Sequence, residues 1–387
     1  MSKSTPLRLS ALALGLVLGG GSAMAAGPLI PRYENGDLSV RAYGRLQGDA
    51  LLSSGLPEAR TDSTELRRAR FGLAARYGKD WRGRVSADVA NGLALQDLAV
   101  EYRGWPVWVE AGRIVEPFGL ADQISSRDLP FMERPQATVL GTAYGLGVAA
   151  NARGSWWSLS AGLFGRSGNG ELDGRDNALT ARATVVPLRN KDWLVHLGTG
   201  LSLREPGEPS LRYSRRPETV LVDGLSVQSA RIADAKRIRL ANAEIGVRRG
   251  PVLVTAEVLN AAITADTGSS PSYSGYYVEG SWAITGERRG YSTRQGLFGG
   301  LKPKRPFNPA KGVKSGFGAV ELAARYGATD LSDPTRGGET GRVASVGANW
   351  TPVESLRVQL NALSIEEKRG AAKEDDTVVQ MRVQFSF

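Results

Sequence analysis

The sequence predicts an all-β protein, a transmembrane antiparallel β-barrel of about 16 strands with inward-folded loops. Three observations lead to this prediction: an alternating C-terminal segment, an N-terminal export signal, and no later apolar run long enough for a membrane-spanning helix. A chain in lipid must pair its backbone polar groups internally, and helices and closed barrels are the structures that do so. Without a suitable helix, the closed barrel is the expected fold.

The C-terminal segment has the pattern of a strand with two chemically different faces. Its apolar and polar residues alternate, and they are Val379, Met381, Val383, Phe385 and Phe387 on one face and Gln380, Arg382, Gln384 and Ser386 on the other. Because successive side chains of a strand point to opposite faces, one face suits lipid and the other suits water. A soluble antiparallel sheet alternates in the same way, so this segment alone leaves that alternative open.

The N-terminus is expected to be a secretory signal peptide over residues 1–25, followed by one barrel over residues 26–387. Lys3 and Arg8 precede or flank an apolar run, and Ala23-Met24-Ala25 has the small-x-small pattern of a cleavage site. The apolar run is about ten residues long, whereas a spanning helix needs roughly twenty. Removal of Lys3 and Arg8 lowers the formal net charge from +10 to +8.

Composition favours a barrel and disfavours an enzyme. The 48 glycines, 11 tyrosines and 8 tryptophans fit short strands, tight turns and aromatic girdles. The chain has no cysteine, which excludes disulfides, thiolate metal sites and a cysteine nucleophile, so we expect no metal and no cofactor. The single histidine, His196, has no acidic or Ser neighbour in sequence and is a poor candidate catalyst.

Three other classes of protein remain as alternatives with weaker support. A barrel lipase or protease would need His196 with an unknown serine, and a structural or adhesion barrel would tolerate loss of the lumen arginines. Nucleic-acid binding is suggested by the sequence pI of about 9.9 alone. Basic charge in an exported barrel has a nearer explanation in the steering of anions, so we expect no nucleic-acid partner.

Segments with a period of two recur along the chain, each bounded by Gly, Pro, Asp or Asn. They include residues 38–45, 84–89, 97–102, 157–163, 179–185, 195–201, 252–258, 320–324, 343–347 and 356–360. At about 22 residues per strand and connection, the exported part of the chain allows about sixteen strands. A barrel of that size encloses an aqueous channel.

Three connections are too long to be turns: residues 113–142, 204–237 and 286–314. The first mixes aromatic and charged residues, and the other two are rich in arginine and lysine. Charge runs of this kind are typical of solvated loops. In a barrel, however, long loops can fold inward, where clustered Arg and Lys replace the hydration that an anion loses on entry.

Several motifs resemble, in order along the chain, the phosphate-selective porins O and P. The motifs are Gly44-Arg45-Leu46-Gln47, Leu66-Arg67-Arg68-Ala69-Arg70-Phe71, Gly112-Arg113, Phe118-Gly119-Leu120, Ser125-Ser126, Gly275-Tyr276-Tyr277, Thr285-Gly286-Glu287, Lys302-Pro303 and Gly316 through Tyr326. The resemblance implies a homotrimer in the outer membrane of a Gram-negative bacterium. Its partners would be phosphate or other small anions, outer-membrane lipid and lipopolysaccharide, and the outer-membrane assembly machinery. Each barrel would hold its own pore, narrowed by inward-folded loops and lined by an arginine ladder and lysines that draw anions through.

The same resemblance suggests which residues form the anion path. The expected residues are the central arginines Arg45, Arg67 and Arg68, the neighbouring acid Asp97, Arg127 of the first long connection, and Arg212, Arg215 and Arg216 of the second, together with Asp122. Arg216 matches a ladder arginine, whereas Arg212 and Arg215 have no secure one-to-one match. Arg67 and Arg68 are adjacent, so a bulge or loop start is needed for both to face the lumen.

Asp122 is the departure from the family that bears on function. The family carries a lysine two residues after Phe-Gly-Leu, where this chain has Asp122. A charge pair at about 4 Å contributes about 1 kcal/mol in water and about 4 kcal/mol at an effective dielectric of 20, so the exchange is expected to weaken phosphate selectivity. Asp122 either lies near the anion path or pairs with Arg127 or Arg113 and orders the loop. Phosphate, polyphosphate, sulfate, organic anions and a general anion pore all stay open.

Overall fold

The computed structural model describes residues 32–57, 61–165, 177–207, 210–266, 268, 270–308, 310–311 and 316–387. The expected signal peptide, residues 1–25, lies outside the described residues. No helix within the described part of the chain has the length and apolar character needed to span a membrane. The helical elements there are short, and they include α1 (Leu120–Gln123) and a 3-10 helix (Gln136–Leu140).

Strands dominate the rest of the described chain. In sequence order they are β1 (Arg32–Asn35), β2 (Leu38–Ser53), β3 (Thr64–Tyr77), β4 (Trp81–Asp88), β5 (Ala94–Tyr102), β6 (Trp108–Val115), β7 (Tyr144–Arg153), β8 (Trp157–Gly165), β9 (Asn177–Arg189), β10 (Trp193–Glu205), β11 (Ser214–Arg215), β12 (Val227–Gln228), β13 (Ala235–Arg249), β14 (Val252–Ala265), β15 (Ser272–Ala283), β16 (Tyr291–Ser292), β17 (Leu297–Phe298), β18 (Ala319–Asp330), β19 (Glu339–Val353), β20 (Leu356–Arg369) and β21 (Ala372–Ser386).

Sixteen of these strands form a closed antiparallel barrel. Neighbours in sequence pair with each other from β2 to β10, then through β13, β14, β15 and β18 to β21. The barrel closes because β21 pairs back onto β2, with Arg45 opposite Ser386 and Ala50 opposite Met381. β1 adds a short hairpin to β2, while β11–β12 and β16–β17 are two small hairpins within long connections. The predicted fold and strand number are confirmed.

The barrel wall is apolar on its outer face and polar on its inner face, which is the reverse of the arrangement in a soluble protein. The outer face exposes large apolar side chains such as Phe71, Leu73 and Leu360, while the inner face buries polar ones such as Gln47 and Arg68. The last strand follows the predicted alternation, since Gln380, Arg382 and Gln384 are buried while their apolar neighbours are half-buried. This arrangement places lipid outside and a polar lumen inside.

The two ends of the barrel differ. Short turns at residues 78–80, 103–107, 154–156, 190–192, 250–251 and 354–355 all lie at one end, the end where the chain reaches Phe387. The eight tryptophans of the sequence also lie toward this end, and they are Trp81, Trp105, Trp108, Trp156, Trp157, Trp193, Trp282 and Trp350. Trp81, Trp105, Trp156 and Trp282 are exposed. Aromatic residues at this level are typical of a membrane interface.

Candidate functional site

The connection between β6 and β7, residues 116–143, folds into the lumen, where side chains of the barrel wall hold its backbone. Arg357 donates to the carbonyl of Leu129 at 2.7 Å, and Asn349 donates to that of Pro130 at 2.8 Å. Further contacts of the same kind join Arg325 to the carbonyl of Glu133, Arg382 to that of Met132, and the backbone amide of Met132 to Asn361. The segment therefore narrows the lumen from a fixed position.

The connection between β10 and β13, residues 206–234, also reaches inward. Its Glu218 is buried and accepts hydrogen bonds from Arg325 Nε at 3.1 Å and Ser345 Oγ at 3.1 Å. Glu218 has a φ of 53°, the only positive value at a non-glycine residue in the described chain. Such a backbone conformation is unfavourable for a side chain, and the buried ion pair compensates for it.

The third long connection, residues 284–318, enters from the other end of the barrel, where the short turns lie. Arg289 forms a bidentate ion pair with Glu321 at 2.7 and 2.8 Å, and Tyr291 Oη lies 2.8 Å from His196 Nδ1. That this connection leaves from the opposite end was not predicted from the sequence. The lumen is thus narrowed from both sides.

A cavity of about 1280 Å³ runs between these segments and the wall formed by β2 to β9. Among the described residues, thirteen arginines and six carboxylates line it, and no lysine does. The arginines are Arg41, Arg45, Arg67, Arg68, Arg70, Arg84, Arg103, Arg127, Arg134, Arg182, Arg215, Arg216 and Arg294, and the acids are Asp97, Glu101, Glu110, Asp122, Glu133 and Glu218. The lining therefore carries a clear excess of positive charge.

Glu133 joins three of the arginines at the narrow part of the lumen. Its carboxylate lies 2.8 Å from Arg67, 3.4 Å from Arg68 and 2.7 Å from Arg382. Burial favours the neutral form of Glu133, but Arg68, Arg67 and Arg382 outweigh it and hold its pKa well below the usual range. Both Arg67 and Arg68 reach the cavity because β3 has an irregularity there, with Gln47 opposite Arg68 and Gly48 opposite Leu66. The bulge predicted at Arg67 is present.

Three lining arginines, Arg41, Arg45 and Arg215, form no ion pair within 4 Å among the described residues, and Arg45 and Arg215 lie nearest the inward segments. Arg45 is buried in the wall directly opposite Arg70, and its Nε has no hydrogen-bond partner in the described chain. Arg215 lies in the β11–β12 hairpin opposite Val227. Burial lowers the pKa of Arg215, whereas the charge of Asp122 raises it. Unpaired guanidinium groups bind oxyanions through two parallel hydrogen bonds.

The remaining expected residues are divided between the cavity and its surroundings. Asp97 lines the cavity, 3.3 Å from Arg84 Nε and 2.7 Å from Ser86 Oγ. Arg127 and Arg216 also line it, and they pair with Asp128 at 3.5 Å and Asp223 at 2.7 Å. Arg212 is not among the lining residues, and its Nε donates to the carbonyl of Ser229 at 3.3 Å. The geometry thus brings eight of the nine expected residues to one cavity.

Asp122, in α1, lines the cavity and does not pair with Arg127 or Arg113. Its Oδ1 lies 3.8 Å from Arg134 Nε. Its Oδ2 packs against Gly141, where there is no room for a side chain: a Cβ on that residue would lie only 1.9 Å from the oxygen. Burial raises the pKa of Asp122 to about 6, against the opposing charges of Arg134 and Arg215 and a hydrogen bond from the backbone of Thr142. The carboxylate of Glu257 accepts hydrogen bonds from the backbone amides of Leu120 at 3.1 Å and Ala121 at 3.3 Å, at the start of α1.

His196 is a structural residue of the wall. It is fully buried, and its Nε2 lies 2.9 Å from Glu244, which also pairs with Arg182. Among the described hydrogen bonds, the ring contacts Tyr291 Oη and Glu244 and no serine hydroxyl. Within the described chain, no group of three or more His, Cys, Asp or Glu residues suits a metal ion.

Sequence reasoning missed several charged residues that line the cavity. Glu133, Arg134 and Glu218 were visible as charges in the long connections, but no local pattern says which of them turn toward the wall. Arg70 and Arg84 follow the same inward alternation as Arg45 and Asp97, so the period of two could have identified them.

The chain is similar to known proteins in both sequence and fold. The sequence model of the family described as phosphate-selective porin O and P matches residues 40–387. Porin O of Pseudomonas aeruginosa is 22% identical over 358 residues, covering 83% of this chain and 82% of that protein. An uncharacterised protein of Caulobacter vibrioides is 28% identical over 355 residues, covering 86% of this chain and 69% of that protein. The solved structure of OmpT of Vibrio cholerae superimposes with a TM-score of 0.57 at 11% identity, covering 92% of this chain and 99% of that one.

Proposed function

Because the chain belongs to the phosphate-selective porin O and P family and is an outer-membrane porin, we propose that it conducts phosphate or related oxyanions by passive diffusion. Related oxyanions include pyrophosphate and polyphosphate. In passive diffusion the anion crosses the membrane chemically unchanged. The proposed role is therefore that of a channel and not of an enzyme.

The observation that carries the proposal is the charge of the cavity wall. Thirteen arginines face six carboxylates there, and Arg45 and Arg215 stand without a carboxylate partner within the described residues. An anion entering the narrow lumen loses part of its hydration, and guanidinium groups replace the lost hydrogen bonds. A cation at the same place meets a repulsive potential.

A second candidate function is a general anion or organic-anion pore without phosphate specificity. Asp122 favours it, because this acid lines the cavity at the position where the family has a lysine. A negative charge beside the path acts more strongly on a divalent oxyanion than on chloride.

The proposal includes the biological setting that the family implies. We place the signal peptide at residues 1–25 and expect the mature chain to form a homotrimer. Exposed apolar side chains such as Leu163 and Val346 on the outer wall fit lipid and lipopolysaccharide as neighbours. Insertion would use the outer-membrane assembly machinery, with the strand that ends at Phe387 as the pairing edge.

Reversal potentials in a planar bilayer test the proposal. Purified protein in a potassium chloride gradient should show anion selectivity, and added phosphate should reduce the chloride current as it occupies the arginine-lined path. Arg45→Gln should lower the anion-over-cation permeability ratio. Arg342→Gln removes the same charge from an exposed residue outside the cavity and should leave the ratio unchanged. Cation selectivity of the unmodified pore would contradict the proposal.

A further inference from the structure

The outer wall carries two arginines without a counter-charge near the end of the barrel that bears the long connections between strands. Arg237 and Arg239 are exposed on β13, where the alternating residues between and after them are buried. Among the described residues, neither guanidinium has a hydrogen-bond or ion-pair partner. By contrast, Arg342 on the outer wall at the same end pairs with Glu366 at 3.3 Å. The two β13 arginines are therefore free to bind an anion from outside the barrel.

The position of Arg239 along β13 places it at the border of the membrane. On the same face of the strand, the guanidinium of Arg249 lies 5.0 Å from the ring centre of Trp193, at the end of the barrel where the tryptophans lie. Arg239 precedes Arg249 by about ten residues, which is about 33 Å along a strand and about 25 Å across the membrane at a tilt of about 40°. The apolar band of an outer-membrane barrel is about 25 Å tall, so Arg239 lies where the lipid headgroups begin.

A row of leucines continues from Arg239 across three neighbouring strands. The register of the sheet places Arg239 opposite Leu203 of β10, and Leu203 opposite Leu179 of β9. Leu179 is in turn opposite Leu163 of β8. Leu203, Leu179 and Leu163 are 46%, 49% and 68% exposed, so the row offers an apolar surface to lipid chains. The three leucines, Arg237 and Arg239 all line one groove of about 910 Å³, which we call the outer groove.

The outer groove combines two requirements that one kind of ligand meets. A guanidinium binds a phosphate through two parallel hydrogen bonds, and a charge next to hydrocarbon is costly unless it is paired. An inorganic phosphate would pair with the arginines but leave the leucines uncovered, whereas an uncharged lipid would cover the leucines and leave the arginines unpaired. A membrane lipid with a phosphorylated headgroup satisfies both.

We propose that the outer groove is a binding site for the phosphorylated headgroup of lipopolysaccharide. Arg237 and Arg239 donate to the phosphate, and Leu163, Leu179 and Leu203 contact an acyl chain below it. The long connections of bacterial outer-membrane barrels lie on the extracellular side, where lipopolysaccharide forms the leaflet. The site does not depend on what the pore conducts, since none of these five side chains lines the lumen cavity.

Binding of a deep-rough lipopolysaccharide to the full mature protein, refolded in detergent and measured by native mass spectrometry, tests the site. Arg237→Ala with Arg239→Ala should weaken binding about thirtyfold, because each basic residue near an anionic lipid surface contributes about a tenth of that affinity on a logarithmic scale of two steps or fewer. Arg342→Ala with Lys368→Ala is the matched control, since it removes two positive charges from exposed residues of the outer wall at the same end and should keep the affinity.

Lipopolysaccharide from which the phosphates have been removed gives a measurement that needs no variant. It should bind the unmodified protein about as weakly as the phosphorylated form binds the double-alanine variant. Inorganic phosphate at millimolar concentration should not displace the lipid. Equal affinity for the two forms of lipopolysaccharide would overturn the proposal, and so would displacement by inorganic phosphate, which would make the arginines a site for free anions. Neither result would bear on conduction through the lumen.

Discussion

Replacing Arg67 and Arg68 together by alanine should reduce the preference of the pore for anions. Arg67, Arg68 and Arg382 surround Glu133, and Arg382 also forms a bidentate pair with Asp49 at 2.6 and 2.7 Å. This cluster carries three positive and two negative charges, so the double substitution changes its net charge from +1 to −1. The sign of the local field at the narrow part of the lumen is thereby reversed.

The size of the effect follows from Coulomb's law. Across about 8 Å of a water-filled lumen, the interaction energy between one unit charge and a monovalent ion is about 0.5 kcal/mol. Loss of two charges disfavours the anion by about 1 kcal/mol and favours the cation equally, which changes the permeability ratio about thirtyfold without screening. Screening in about 0.1 M salt reduces the expected change to about fivefold.

The assay is the reversal potential in a salt gradient, measured on variants that assemble as folded barrels. The narrowing segment should stay in place, because Arg357 and Asn349 hold its backbone and Arg382 still pairs with Glu133. Arg342→Ala with Lys368→Ala is the matched control, since both residues are exposed, on β19 and β20, and outside the cavity. An unchanged ratio in the Arg67 and Arg68 variant would refute the reasoning and place the filter in residues 206–234.

Three further outcomes are expected. Deletion of Phe387, whose backbone exchanges hydrogen bonds of 3.0 and 3.1 Å with Gly44, should lower the yield of folded protein in the membrane, and an unchanged yield would argue against a role in assembly. Lowering the pH through about 6 should raise the anion-over-cation ratio, because burial raises the pKa of Asp122 to about 6 and its carboxyl loses its charge below that value; the rise should be smaller in Asp122→Asn. His196→Ala should leave selectivity unchanged and destabilise the barrel by about 1–3 kcal/mol, seen as a lower temperature of heat modification, because Glu244 loses a buried partner. Unaltered thermal behaviour would contradict this role.

The fold could be predicted because its signal is local. The alternation of residues 378–387 fixes which side chains face inward, and the same period along the chain gives the strand number. The bulge at Arg67 was also predictable, because two adjacent arginines cannot share one face of a regular strand.

The details of the candidate site depend on contacts between residues far apart in sequence. Arg212 and Arg215 lie three positions apart in one basic stretch, and only the pairing of β11 with β12 decides that Arg215 lines the cavity. Likewise, the pairing of Asp122 with Arg134 depends on the turn that brings residues 134–142 back over α1. The functional roles of these residues stay predictions.

The contacts that hold the narrowing segment have a consequence for how such a pore can change over time. Arg357, Asn349 and Arg325 bind carbonyl groups, which every residue type provides. Side chains of the segment that point into the lumen can therefore be exchanged while its path across the barrel is preserved. Mutation can in this way alter what passes through the channel without a new scaffold, and Asp122, where the resemblance to the family implies a lysine, would be such an exchange. The same property makes residues 116–143 a suitable region in which to engineer permeability.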